Sequence, residues 1–263
     1  MKKPLILVTN DDGITSKGIR MLVTIAKEFG EVVVVAPDSP QSAKGHAITV
    51  ADPIRLRTYD GFEGIVAYEC SGTPVDCVKL ANNVVLKDRV PDLCVSGINH
   101  GSNASVNILY SGTMSAAMEA SLEGIDSVGF SLLDFDSNAD FEPGRSFVRA
   151  IIAHVLQNPL QQTKLLNVNI PKLPTAEIKG IKVCRQAKAR WSETFQEALD
   201  PRGQKYYWLT GEFINYDTGT DTDIWALENG YVSVVPSGHD LTTYEALGGL
   251  QSMETLLSPA SKI

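Results

Sequence analysis

Two uninterrupted apolar runs separated by one amphipathic stretch, all within residues 5–37, constrain this chain more than any other feature. Leu5-Ile6-Leu7-Val8 and Val32-Val33-Val34-Val35-Ala36 lack the alternation of a strand with one wet face. They read as strands buried on both sides, as in a parallel sheet covered by helices. Between them Leu22, Ile25, Ala26 and Phe29 recur at helical spacing, with Ser16 placed to cap the helix and Gly30 to end it. Strand, helix and strand in this order form a βαβ unit with a right-handed crossover. Similar runs at 92–97, 127–131 and 165–170 extend the sheet, and helices are expected from Pro74, from Ser111 and over 144–157. The fold class is therefore α/β with a mostly parallel sheet.

A parallel sheet gathers the loops at its carboxyl ends, where ligands bind. The first strand delivers Thr9-Asn10-Asp11-Asp12-Gly13 there. Adjacent carboxylates repel unless a cation or shared proton neutralises them. Simple helix capping explains one acid and leaves the second unused. Three more polar clusters fall on the same rim: Ser39 to His46, Asn99 to Asn103, and Ser111-Gly112-Thr113 at a helix start. Their donors are carboxylate, hydroxyl and amide oxygens, which suit Mg²⁺, Mn²⁺ or Ca²⁺ better than zinc. A helix start offers amides and a positive dipole end to a phosphate. Together they point to a metal-assisted phosphate site, with His46 and His100 assigned no role.

The 263 residues are expected to form one α/β domain, its core at about 1–180 and 230–263. An extension at about 181–229 is set apart by hairpin-like segments (181–183 and 206–211), by the turn Asp200-Pro201-Arg202-Gly203, and by Trp208, Trp225 and several tyrosines. That much aromatic surface calls for a second subunit to cover it. A last strand is expected at 231–236 and a last helix at 243–257. A net charge of -8 argues against binding nucleic-acid polymers. No apolar run is long enough to span a bilayer, and no signal-like segment opens the chain. Cys70, Cys77, Cys94 and Cys184 show no CxxC or zinc spacing and read as reduced thiols. A cytoplasmic location is expected.

Val8 to Ile14, Val35-Ala36-Pro37-Asp38, Gly72 to Val78, Ser96 to Gly101, Ser111-Gly112-Thr113, Asp200 to Gly203 with Tyr206-Tyr207-Trp208, and Asp240-Leu241-Thr242 occur in one order. This series resembles the SurE family, the survival-protein nucleotidases, over nearly the whole chain. The resemblance implies a Rossmann-like sandwich and a metal-dependent phosphomonoesterase for nucleoside 5′- and 3′-monophosphates, with short polyphosphate as a further substrate. It implies one divalent ion per subunit, Mg²⁺ or Mn²⁺, on Asp11, Asp12, Ser42 and Asn99; Ser39 is the alternative serine in that loop. Asp11 would be catalytic, and Asn10, Asn99, Ser111, Gly112 and Thr113 would bind substrate. A homodimer or homotetramer using the C-terminal hairpin is implied too. Attack by Asp11 itself, giving an aspartyl-phosphate, is the second enzymatic route. A non-catalytic nucleotide-binding or receiver-like module is the other alternative. The receiver needs an acid at a strand end where this chain has Ser96-Gly97-Ile98-Asn99.

Overall fold

A computed structural model describes residues 3–256. The expected opening unit is present: β1 (Leu5–Thr9), α1 (Lys17–Ala26) and β2 (Glu31–Pro37). The Ser16 side chain accepts from Ile19 N, and Leu22, Ile25 and Ala26 are fully buried. A short antiparallel pair follows, β3 (Leu56–Thr58) with β4 (Val66–Cys70). Next come α2 (Pro74–Leu80), β5 (Leu93–His100), α3 (Gly112–Leu122), β6 (Ser127–Leu132), α4 (Arg145–Gln157) and β7 (Leu165–Ile170). Thr73 caps α2 through a capping box with Asp76.

With β8 (Ile181–Val183) and β11 (Val232–Ser237) the sheet has nine strands in the order β3-β4-β2-β1-β5-β6-β7-β11-β8. From β4 to β7 every neighbour is parallel. The chain moves outward from β1 through β2 to β4, then returns to lay β5 on the other side of β1. The β1/β5 boundary is thus the topological switch point, where α/β sheets form ligand crevices. Alternate residues of each central strand enter opposite cores. Ile6 and Val8 pack with α1 and α4, whereas Leu5 and Leu7 pack with Cys77, Val78, Ala116 and Ala120 of α2 and α3. All four cysteines are free and buried.

Three expectations change. Ile181–Val183 forms β8, a short strand parallel to β11 (Val232–Ser237), which itself runs antiparallel to β7. The partner of residues 206–211 is instead β9 (Ala189–Leu199), paired along its length with β10 (Lys205–Asn215). Glu193 and Glu197 interrupt the apolar face of β9 and hide its strand pattern. The hairpin is therefore narrower than 181–229, and Trp225 lies outside it on α5 (Asp223–Glu228), stacked on Tyr231. The expected helix at 243–257 is a series of short turns, of which only Leu247–Leu250 is α-helical. Gly248 and Gly249 each weaken a helix there by about 1 kcal/mol relative to alanine. Position 257 lies outside the described residues. Beyond Leu80 the backbone of the second helix widens into a π-helical turn over Ala81–Leu86, leaving Val84 exposed.

Candidate active site

Asp11 leaves β1 at the switch point and is only 3% exposed. Burial and the neighbouring Asp12 charge push its carboxyl from the ordinary 3.8 up to about 6. Thr113 opposes that rise, its hydroxyl and its backbone N–H both donating to the carboxylate. Asp12 is also raised by burial, and is held back by the His100 charge and by the His100 N–H donating to Oδ2 at 3.3 Å. Asn10 braces the tip rather than facing outward: its Nδ2 donates to Gly13 O and Ser16 Oγ, both at 2.9 Å. Its Oδ1 is buried without a hydrogen-bond partner.

β5 brings Asn99 beside this tip. Its register against β6 shifts between Ser96 and Asn99, which re-aims the strand end. Gly97 sits in that shift at φ +126°, where a Cβ would lie 2.4 Å from Phe130 O. Asn99 Nδ2 donates to Gly101 O at 2.9 Å, which leaves the amide oxygen without a partner among the described residues. The following loop is locked by Asn103, whose N–H meets Asn169 Oδ1 (2.8 Å), whose Nδ2 meets Ser131 Oγ (2.7 Å), and whose carbonyl accepts from Asn167 (2.8 Å).

The loop carrying Ser42 is tied at several points. Gln41 N donates to Asp11 O at 2.7 Å and Gly45 N to Tyr110 O at 3.2 Å. Beyond them His46 Nε2 lies 2.8 Å from Glu119 of α3, a buried acid that also pairs with Lys79. His46 thus anchors the loop to α3. Ser39 hydrogen-bonds Asp38 and takes no part in the cavity wall, whereas Ser42 does.

α3 directs its N-terminus at Asp11. Ser111 caps it, accepting from Met114 N at 3.0 Å. A Cβ on Gly112 would stand 2.7 Å from Asp11 Cβ and 2.9 Å from Oδ2, so only glycine lets the helix start approach this closely.

Asp11, Ser42, Asn99 and Ser111 share one cavity of about 270 Å³. Asn10, Asp12, Gly112 and Thr113 are not part of its wall: Asn10 braces the tip, Thr113 holds Asp11, Gly112 allows its close approach, and Asp12 accepts from the His100 amide. Three aromatic side chains also line it: Tyr110, Phe135 and Trp191. Sequence reading passed over all three, because single aromatics in loops and at the foot of a hairpin carry no periodic signal. A larger cavity of about 450 Å³ opens at the other end of the strands, where β7 begins and β11 ends, beside Lys164, Ser237 and His239. It holds none of the rim clusters, so chemistry rather than size selects the smaller one.

The family model described as Survival protein SurE matches residues 6–193. The chain belongs to the SurE family. It is 61% identical to a 5′-nucleotidase SurE of Cytophaga hutchinsonii over 95% of this chain and 96% of that one. It is 58% identical to a 5′-nucleotidase SurE of Flavobacterium psychrophilum, covering 97% and 99%. The crystal structure of the SurE protein from Aquifex aeolicus superposes with a TM-score of 0.82 at 41% identity, covering 95% of this chain and all of that one. That likeness agrees with the α/β sheet built from the two opening strands.

The donor set of this SurE chain suits a hard divalent cation. Among the described residues no three His, Cys, Asp or Glu side chains converge. The Asn99 amide oxygen and the Ser42 hydroxyl lie on the same wall as Asp11, so a cation there would meet neutral oxygens beside that carboxylate. Mg²⁺ characteristically binds through one or two carboxylates plus substrate phosphate oxygens. Among the described residues no helix is long and apolar enough to cross a membrane.

Proposed function

We propose that this chain is a metal-dependent nucleotidase that releases phosphate from nucleoside 5′- and 3′-monophosphates, with short polyphosphate as a secondary substrate. The observation that carries this reading is the buried Asp11 carboxylate, held by Thr113 at the switch point in one cavity with Asn99, Ser42 and Ser111. Its likeness to relatives named 5′-nucleotidase supports the 5′ activity. Asp11, Asp12, Asn99 and Ser42 would hold one Mg²⁺ or Mn²⁺ per subunit. Bound there, the cation supplies Lewis-acid polarisation of phosphoryl oxygens and acidification of water.

The chain's own groups do the rest. Asp11 orients the attacking water and takes up its proton. Thr113 keeps that carboxylate in one rotamer, and the N-terminal end of α3 places partial positive charge where the phosphoryl group gains negative charge. The Asn103 network holds the Asn99 loop rigid, so little reorganisation accompanies reaction.

One face of the β9/β10 hairpin carries Phe195, Leu199, Tyr207 and Leu209, all more than half exposed. A two-stranded ribbon is marginal in water by itself. We assign this face to contact between subunits of a homodimer or homotetramer. Phosphate release from AMP and 3′-AMP, with Mg²⁺, Mn²⁺ or chelator, tests the reading. Metal-dependent release is expected. Turnover that survives complete chelation, or that persists in Asp11→Asn, would overturn it; phosphate trapped on Asp11 after quenching would replace the water route by the covalent one.

A further inference from the structure

Beside the groups assigned to phosphate, the cavity presents Tyr110, Phe135 and Trp191 but no lysine or arginine. Its walls therefore attract the rest of a substrate through apolar faces rather than through side-chain cations. Each aromatic is tied to a phosphate-end element. Tyr110 directly precedes Ser111, and its carbonyl anchors Gly45 of the Ser42 loop. Phe135 lies against Gly101, two residues beyond Asn99, so closely that a Cβ there would come within 2.2 Å of the ring. Trp191 donates its Nε1–H to Asn107 Oδ1 at 2.8 Å, and its ring meets the edge of Phe213 at 5.5 Å. That contact orients the indole while leaving it 41% exposed; Tyr110 and Phe135 are 50% and 80% exposed. Three large rings held open at the mouth of a polar cavity are costly in water unless something flat and apolar covers them.

We propose that Tyr110, Phe135 and Trp191 form an aromatic platform that takes the nucleobase, so that this site selects nucleotides over phosphate esters lacking a base. The inference rests on the nucleotidase reading and adds its specificity element. Stacking tolerates every base because each has a π-face, and it favours purines through their larger area. Trp191 comes from the hairpin, so the extension supplies part of substrate recognition.

The test compares AMP with ribose 5-phosphate, which shares the phosphate and sugar but lacks the base. It uses the full chain with saturating Mn²⁺. Wild type is expected to prefer AMP. Trp191→Ala should lose about 5- to 150-fold in kcat/KM for AMP, mainly through KM, with ribose 5-phosphate unchanged. Trp191→Phe should recover most of the loss, which a merely structural role would not produce. Phe135→Ala, at an exposed position, repeats the comparison without touching the hairpin. An AMP to ribose 5-phosphate ratio that stays at the wild-type value in both alanine variants overturns the platform. So does an equal fall for both substrates. Wild type that hydrolyses both esters equally well removes the platform but leaves the phosphatase reading intact; wild type that hydrolyses neither removes both.

Discussion

Replacing Asp11 by asparagine should make the metal-free protein more stable while abolishing its activity. The carboxyl is raised from 3.8 to about 6 in the fold, so its ionised form is destabilised there relative to the unfolded chain. A shift of about 2 units corresponds to about 3 kcal/mol at roughly 1.4 kcal/mol per unit. The sign is the reverse of an ordinary ion-paired aspartate. The penalty is fully present above pH 6, shrinks as pH falls from 6 toward 4, and is absent below the unfolded value. Asparagine keeps a carbonyl oxygen for Thr113 and never ionises. In chelator at pH 8 the variant should therefore gain up to about 3 kcal/mol, or roughly 6–12 °C in melting temperature for a chain of this size. At pH 4 the two proteins should melt together. Mn²⁺ should raise the melting temperature of wild type at pH 8 and leave the variant nearly unmoved. Thermal melts at pH 4, 6 and 8, with and without chelator, measure all of this. A variant less stable than wild type at pH 8 in chelator, or a difference independent of pH, refutes the reasoning that Asp11 is an uncompensated buried charge.

Gly112→Ala places a methyl 2.7 Å from Asp11 Cβ, and kcat should fall by about 10- to 100-fold with Asp11 displaced; steady-state kinetics with a melting control measures it. Thr113→Val removes a hydroxyl that lowers the Asp11 pKa, so in chelator the Asp11 carboxyl, followed by NMR, should titrate at higher pH than in wild type, and Thr113→Ser should restore it. Glu119→Ala leaves His46 and Lys79 without their shared buried partner and should cost about 1–3 kcal/mol, discounted because both side chains are partly exposed. Its urea midpoint reads the cost. Loosening of the Ser42 loop should appear as weaker metal activation.

The central sheet and the rim clusters were legible because each rests on local chemistry: a continuous apolar run, a cap, an acid pair at a strand end. Asp11, Asn99 and Ser111 needed only the rule that parallel strands bring their carboxyl ends together. Other features depend on partners distant in sequence. β8 is three residues long, and nothing within it says that β11 lies alongside. β11 turns antiparallel to β7, a reversal no run of valines announces. The roles of Thr113 and Asn10 also escaped, since a capping motif looks the same whether its side chains face a ligand or hold another residue. Trp191 shows the same limit from the other side. Its place in the cavity is set by one bond to Asn107, 84 residues earlier.

The switch-point arrangement has a consequence for how the molecule comes into being. The acid pair is among the first parts of the chain to be synthesised, whereas the His100 amide that meets Asp12 lies 88 residues later and the Thr113 hydroxyl that holds Asp11 lies 102 residues later. At ribosomal rates of about 5–20 residues per second, the carboxylates wait roughly 5–20 s for those partners to be made. β1 must also wait for β5 before its second edge is covered. Nascent chains shorter than about residue 113 therefore carry the acidic tip without the scaffold that gives it a purpose, and the site cannot mature until more than a third of the 263 residues has been made.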